Sequence, residues 1–125
     1  MIAVDTSSLV NFLKGAGTPD VARVRAALQS GALRLPPPVK AEFLSGRAVG
    51  TTATELVDGV LMLPIADGFW ERAGKNRRLI IAKGLKAKLA ATLIAQCCID
   101  ADIPLIADDG DYRHFKRWCG LQLAE

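Results

Sequence analysis

Hydrophobic and polar positions alternate along this chain between short apolar runs and longer segments with helical spacing. Ile2-Ala3-Val4 is apolar without alternation and stops at Asp5, Thr6 and Ser7. This pattern predicts a strand buried on both faces, as in the middle of a parallel sheet. Ser7 and Ser8 are N-cap candidates for a helix carrying Leu9, Val10, Phe12 and Leu13 and stopping at Gly15. Thr18-Pro19-Asp20 opens a second helix, with Val21, Val24, Ala27 and Leu28 on one face and a stop at Ser30-Gly31. Leu33-Arg34-Leu35 reads as a short strand, ended by Pro36-Pro37-Pro38, which delivers the chain into a helix containing Val39, Glu42, Phe43 and Leu44. Thr51 to Leu61 has helical spacing. Leu61 to Ile65 is strand-like, and Pro64 places it at an edge or at a strand terminus. A helix from about Asp67 carries Phe69, Trp70 and Ala73. After Gly84 another runs from about Lys86 to Ala101, apolar nearly all round from Leu89 to Ile99, which predicts burial against the sheet. Pro104 to Ala107 is a second doubly buried strand that ends in Asp108, Asp109 and Asp111. A last helix with Tyr112, Phe115 and Trp118 and a terminal strand, Leu121-Gln122-Leu123, complete the pattern. Strands separated by helices predict an α/β fold, with a parallel central sheet flanked by helices on both faces.

Length and composition narrow the class. The chain has 125 residues, which predicts one domain over 1–125 with a single core. Half of the residues are hydrophobic and 23% are charged, which excludes a disordered chain. The apolar stretches are far shorter than a membrane span and the N-terminus lacks a signal-peptide pattern, so a cytoplasmic protein without membrane association is expected. The three cysteines, two of them adjacent, form neither a disulfide framework nor a zinc spacing and read as reduced packing residues. With His114 as the one histidine, any metal must be held by oxygen, which suits magnesium or manganese. Net charge is only +3, but Glu71 and Asp100 bracket a stretch free of carboxylates that holds Arg72, Lys75, Arg77, Arg78, Lys83, Lys86 and Lys88. Such segregation marks either a polyanion-binding face or a solvated helix surface.

Candidate chemistry comes from the acids. Asp5 is either a helix cap or an acid aimed into the crevice beyond the carboxyl ends of the strands, where ligands of open α/β sheets bind. A second strand ends in Asp108 and Asp109, and Glu42 lies near the start of a helix that follows a short strand. Acids brought together repel unless a cation lies between them. Convergent Asp and Glu without His or Cys therefore suggests a hard-cation site, and a polyanion-binding face beside it suggests metal-assisted phosphodiester hydrolysis.

Ile2-Ala3-Val4-Asp5-Thr6-Ser7-Ser8-Leu9, then Glu42, then Leu93-Ile94-Ala95-Gln96, then Pro104 to Tyr112 resemble, in order and over essentially the whole chain, a PIN-domain ribonuclease of the VapC toxin type. The resemblance implies a central parallel sheet flanked by helices, a divalent-metal active site, RNA cleavage, and inhibition by a VapB-type antitoxin. Carried over, it makes Asp5, Glu42 and Asp109 the catalytic, metal-holding acids, with Asp111 and Asp108 as outer ligand candidates. Tyr112 falls in the family's aromatic place and Ala107 where threonine is usual. The family's usual aspartate before Thr92-Leu93-Ile94-Ala95 is Ala91 here. That change removes one ligand and should weaken metal binding and catalysis together. Natural divergence, an inactive paralogue and a deliberate inactivating change all account for Ala91.

The expected activity is thus that of a Mg- or Mn-dependent endoribonuclease toxin of a VapBC-type system, with Ala91 as a source of inactivation. The alternative is a catalytically inactive PIN-fold module that binds RNA or protein. Thr6 and Ser7 would orient metal waters or the scissile phosphate, or cap the helix. The stretch Lys75 to Lys88, with Lys75, Arg77, Arg78 and Lys86 foremost, would contact RNA backbone. Expected partners are RNA, a VapB-type antitoxin and a second copy in a homodimer. His114 is expected to be a surface residue. A receiver-type domain phosphorylated on Asp5 would also cluster acids at strand ends, but it lacks the lysine needed after a late strand.

Overall fold

The computed structural model describes residues 1–46 and 50–125. Eleven elements follow one another among them: β1 (Ile2–Val4), α1 (Thr6–Leu13), α2 (Pro19–Ser30), β2 (Leu33–Leu35), α3 (Pro37–Leu44), α4 (Thr51–Asp58), β3 (Leu61–Met62), α5 (Phe69–Ala82), α6 (Leu89–Ala101), β4 (Leu105–Ile106) and α7 (Tyr112–Cys119). The strands form one sheet in the order β3-β2-β1-β4, every pair parallel. β1 is the doubly flanked strand the sequence predicts: Ala3 and Val4 are inaccessible to solvent.

The strand order decides where a site can form. β1 and β2 are linked through α1 and α2 in one direction across the sheet, whereas β3 returns to β4 in the other through α5 and α6. Right-handed crossovers then put α1 to α4 on one face and α5 and α6 on the opposite one. α7 packs with α5 and α6. The reversal falls between β1 and β4, so the crevice expected of a doubly wound sheet opens between the carboxyl ends of those two strands.

Burial follows the apolar pattern. Ala91, Thr92, Ile94, Ala95, Gln96, Cys97 and Cys98 of α6 are all buried, and Leu105 and Ile106 of β4 are fully so. Cys97, Cys98 and Cys119 are free thiols, the first two in the core. None of the described helices is long and apolar enough to cross a membrane.

Several boundaries depart from the sequence reading. The helix read from Thr51 to Leu61 ends at Asp58, with Gly59 as its C-cap and Leu61 already in β3. Asp5, not Ser7 or Ser8, is the N-cap of α1, with extended φ −84° and ψ 170° and a side chain that accepts from the Ser8 amide. The strand-like run Leu61 to Ile65 shrinks to Leu61–Met62: Leu63 N–H still reaches Leu35 O at 2.9 Å, but Pro64 ends the pairing at this exposed sheet edge. The terminal strand reduces to a parallel bridge between Leu105 and Leu123, since the two-residue β4 offers it no longer partner. α6 starts at Leu89, not near Lys86. Ala87 is buried and its carbonyl accepts from Arg77 Nε at 2.9 Å, which holds the preceding loop extended through Lys88.

Candidate active site

Asp5 directly follows β1, and its N–H donates to Ile106 O at 3.0 Å, so the backbones of β1 and β4 stay stitched together up to the acid itself. The next residue starts α1, and the side chain of Asp5 satisfies donors at that helix terminus: Ser8 N–H reaches Oδ1 at 2.9 Å and Ser7 Oγ reaches Oδ2 at 3.0 Å. Asp5 is therefore both a cap and a residue of the crevice. Glu42 arrives on α3, which packs on α1, and Thr6 Oγ1 donates to its Oε1 at 2.6 Å. Asp109 follows β4 in a turn where the Asp111 N–H donates to Asp109 Oδ1 at 2.9 Å.

These three acids line one depression of about 160 Å³ together with Thr6, Ser7 and Ala91. Ala91 therefore sits where a carboxylate would add a fourth acid to the same wall. Asp108 and Asp109 also border a separate depression of about 380 Å³ that holds Arg23 and Arg113, so Asp109 stands on the ridge between the two. Asp111 lies further out and faces Lys86 across 3.9 Å.

The electrostatics reflect crowding of like charge. Burial raises the Asp5 pKa above the ordinary aspartate value, the Ser8 amide and the Ser7 and Ser8 hydroxyls pull it back, and the nearby Asp109 charge raises it further. Tyr112, buried beside the same acids, keeps its phenol proton. Burial raises its pKa most, and Asp5, Glu42, Cys98 and Asp109 add to the rise.

Three carboxylates in a depression that no histidine or cysteine lines offer the oxygen donors that hard divalent cations prefer. Among the described residues no group of three or more acids, histidines or cysteines is placed to hold a metal ion. An ion of the magnesium type keeps several waters and takes only one or two carboxylates directly, so it asks for less than such a group. Asp5, Glu42 and Asp109 are the candidates for holding it.

The basic stretch divides once folded. Arg72 makes two bonds to the carboxylate of Asp100, at 3.0 and 2.7 Å. Lys83 Nζ lies 3.9 Å above the Trp118 ring. Arg77 and Arg78 line a groove of about 320 Å³ with Gly74, Ile81 and Leu89, away from the acids, and Lys75 is exposed on the same helix. Lys88, the last residue of the stretch expected to contact RNA backbone, lines the acid depression itself. The signal for it was its distance of three residues from Ala91 at the start of a helix. His114 is half-buried on α7 and forms no part of the depression.

Comparison with known proteins agrees with this architecture. The family model described as PIN domain matches residues 2–117. VapBC2 from Rickettsia felis, solved bound to a DNA fragment from its promoter, is similar in structure with a TM-score of 0.73 and 20% identity, covering 99% of this chain and 98% of that one. FitAcB from Neisseria gonorrhoeae gives a TM-score of 0.70 at 13% identity, with 100% and 97% covered. DNA-bound VapBC from Salmonella typhimurium gives 0.69 at 14%, with 98% and 96% covered. No curated protein matches the sequence. With the family model spanning nearly the whole chain, this protein belongs to the PIN domain family.

Proposed function

We propose that this chain is a VapC-type toxin that hydrolyses RNA phosphodiester bonds with magnesium or manganese at the acid depression, and that Ala91 weakens this activity. The observation that carries the reading is the meeting of Asp5, Glu42 and Asp109, from three distant parts of the sequence, at the crevice between β1 and β4. A divalent ion held there would acidify a water and offset charge on the phosphate oxygens. The chain's own residues keep the acids in place: Ser7 and the Ser8 amide hold Asp5, Thr6 holds Glu42, and the Asp111 amide holds Asp109. Asp108 and Asp111 are outer ligand candidates. Lys75, Arg77, Arg78 and Lys86 would meet RNA backbone beyond the depression, each contact adding to the salt sensitivity of binding.

A VapB-type antitoxin is the proposed protein partner, supported by two VapBC assemblies among the similar structures. A basic side chain of that partner would pair with the acids in place of a cation. We further propose that the toxin is a homodimer. Light scattering of the purified chain tests this, and a monomeric mass would overturn it.

A second reading, a PIN-fold module that binds RNA without cutting it, is favoured by Ala91 and by the open spacing of the acids. One experiment separates the two. Ala91→Asp should cleave RNA in magnesium and stop in EDTA, and adding Asp5→Asn should abolish cleavage while the fold persists. Tight RNA binding by Ala91→Asp without cleavage under any metal would leave the binding module standing.

A further inference from the structure

We infer that Lys88 is the residue that holds the phosphate lying over the acid depression. The inference rests on RNA being the ligand of that site and assigns it a cationic contact that the family resemblance does not supply. Lys88 occupies the N-cap of α6 with extended φ −62° and ψ 145°, and its side chain makes no capping bond. Helix N-caps favour Ser, Thr, Asp or Asn, and a cation there opposes the positive end of the helix dipole. Lysine at this position is thus unfavourable on local grounds.

The three acids that share its depression do not engage it. Among the described residues the Lys88 ammonium has no carboxylate within 4.0 Å. Ala91, three residues on, lines the same depression, and its methyl offers the ammonium no partner there. The loop is fixed around it: Ala87 is buried and bonded to Arg77, and Lys86 faces Asp111. A flexible charge on a fixed backbone beside three acids suits an anion that arrives with a cation of its own. A phosphodiester with a divalent ion between it and the acids meets that description.

The test is fluorescence anisotropy of a short labelled single-stranded RNA, in EDTA and in magnesium, across a salt series. Lys88→Gln should weaken binding about tenfold at low salt and reduce the slope of log affinity against log salt by about 0.7, and Lys88→Arg should restore both. The melting temperature of Lys88→Gln should not fall, since a cation leaves a helix N-terminus. Unchanged affinity and slope in Lys88→Gln overturn the assignment, as does failure of the unaltered protein to bind RNA at low salt. Cleavage by Ala91→Asp is scored separately. If it is absent while Lys88→Gln loses affinity, the nuclease reading falls and the Lys88 assignment stands. If it is present while Lys88→Gln binds normally, the assignment falls and the nuclease reading stands.

Discussion

Asp5 serves two purposes whose energetics oppose each other. As a cap it accepts from the Ser8 amide, and as a buried acid near Asp109 it has a raised pKa. A raised folded-state value means that ionisation is less favourable folded than unfolded. The stability lost in this way is lost as pH rises from the ordinary aspartate range through the raised value, and it stays lost at neutral pH. Asn caps a helix as well as Asp does. Asp5→Asn should therefore melt no lower than the unaltered protein at neutral pH, while manganese binding measured by calorimetry disappears. A clear drop in melting temperature would mean that the charge stabilises the fold. Metal binding by the unaltered protein should likewise weaken as pH falls through the raised Asp5 value, because the proton and the ion compete for the same oxygens. An affinity that does not change with acidification would remove Asp5 from the ligand set.

At the scale of elements, α6 carries the largest share of the argument. Its apolar surface all round marked it in the sequence as a buried helix, and Ile94, Ala95 and Cys98 are in the core. Ile94→Ala should cost about 2–5 kcal/mol in urea unfolding, the range for truncating a buried aliphatic side chain. What the sequence did not reveal is how α6 is joined to α5. Asn76 donates to Gln96 Oε1 at 2.8 Å, Gln96 donates to Asp100 at 2.9 Å, and Arg72 closes the network on the same carboxylate. Arg72 looked like one more charge in a basic run because its partner lies 28 positions away. Arg72 holds the Asp100 carboxyl below the usual aspartate range, burial opposes this, and Gln96 adds to the lowering. Stability from this pair is fully present above the ordinary aspartate value and is lost as pH falls through the depressed one. Arg72→Met should flatten the acid limb of the stability curve in that window. An unchanged limb would show that the pair contributes no pH-dependent stability.

Across the whole molecule, the strands and the acids at their ends were legible because burial on both faces leaves an unbroken apolar run and a carboxylate ends it abruptly. Strand order was not, since Leu33-Arg34-Leu35 and Leu61-Met62 carry no mark of which neighbour they choose. Glu42 was legible as an acid near the start of a helix after a short strand, and its role came through the family resemblance; it enters the site because α3 leans on α1 and Thr6 donates to its carboxylate. That Lys88 sits beside the acids was not legible, because a charge in a basic run has no local sign of what it faces. The assembled depression makes a thermodynamic prediction. Manganese at about a hundred times its dissociation constant should stabilise the fold by about 2.7 kcal/mol, and the metal concentration needed should be lower for Ala91→Asp than for the unaltered protein. Equal midpoints in a thermal-shift titration would exclude position 91 from the ion's surroundings.

The place of β1 between β2 and β4 has a consequence in time. A ribosome completes β1 and β2 early, yet the central strand lacks its second neighbour, and the crevice its second wall, until residues 105 and 106 have been made. Asp5 and Glu42 wait more than half the length of the chain for Asp109. A nascent chain stalled before β4 would hold two of the three acids without the backbone pairing that aligns them. On the proposed nuclease reading, the nascent chain gains its third acid only once Asp109 has been made.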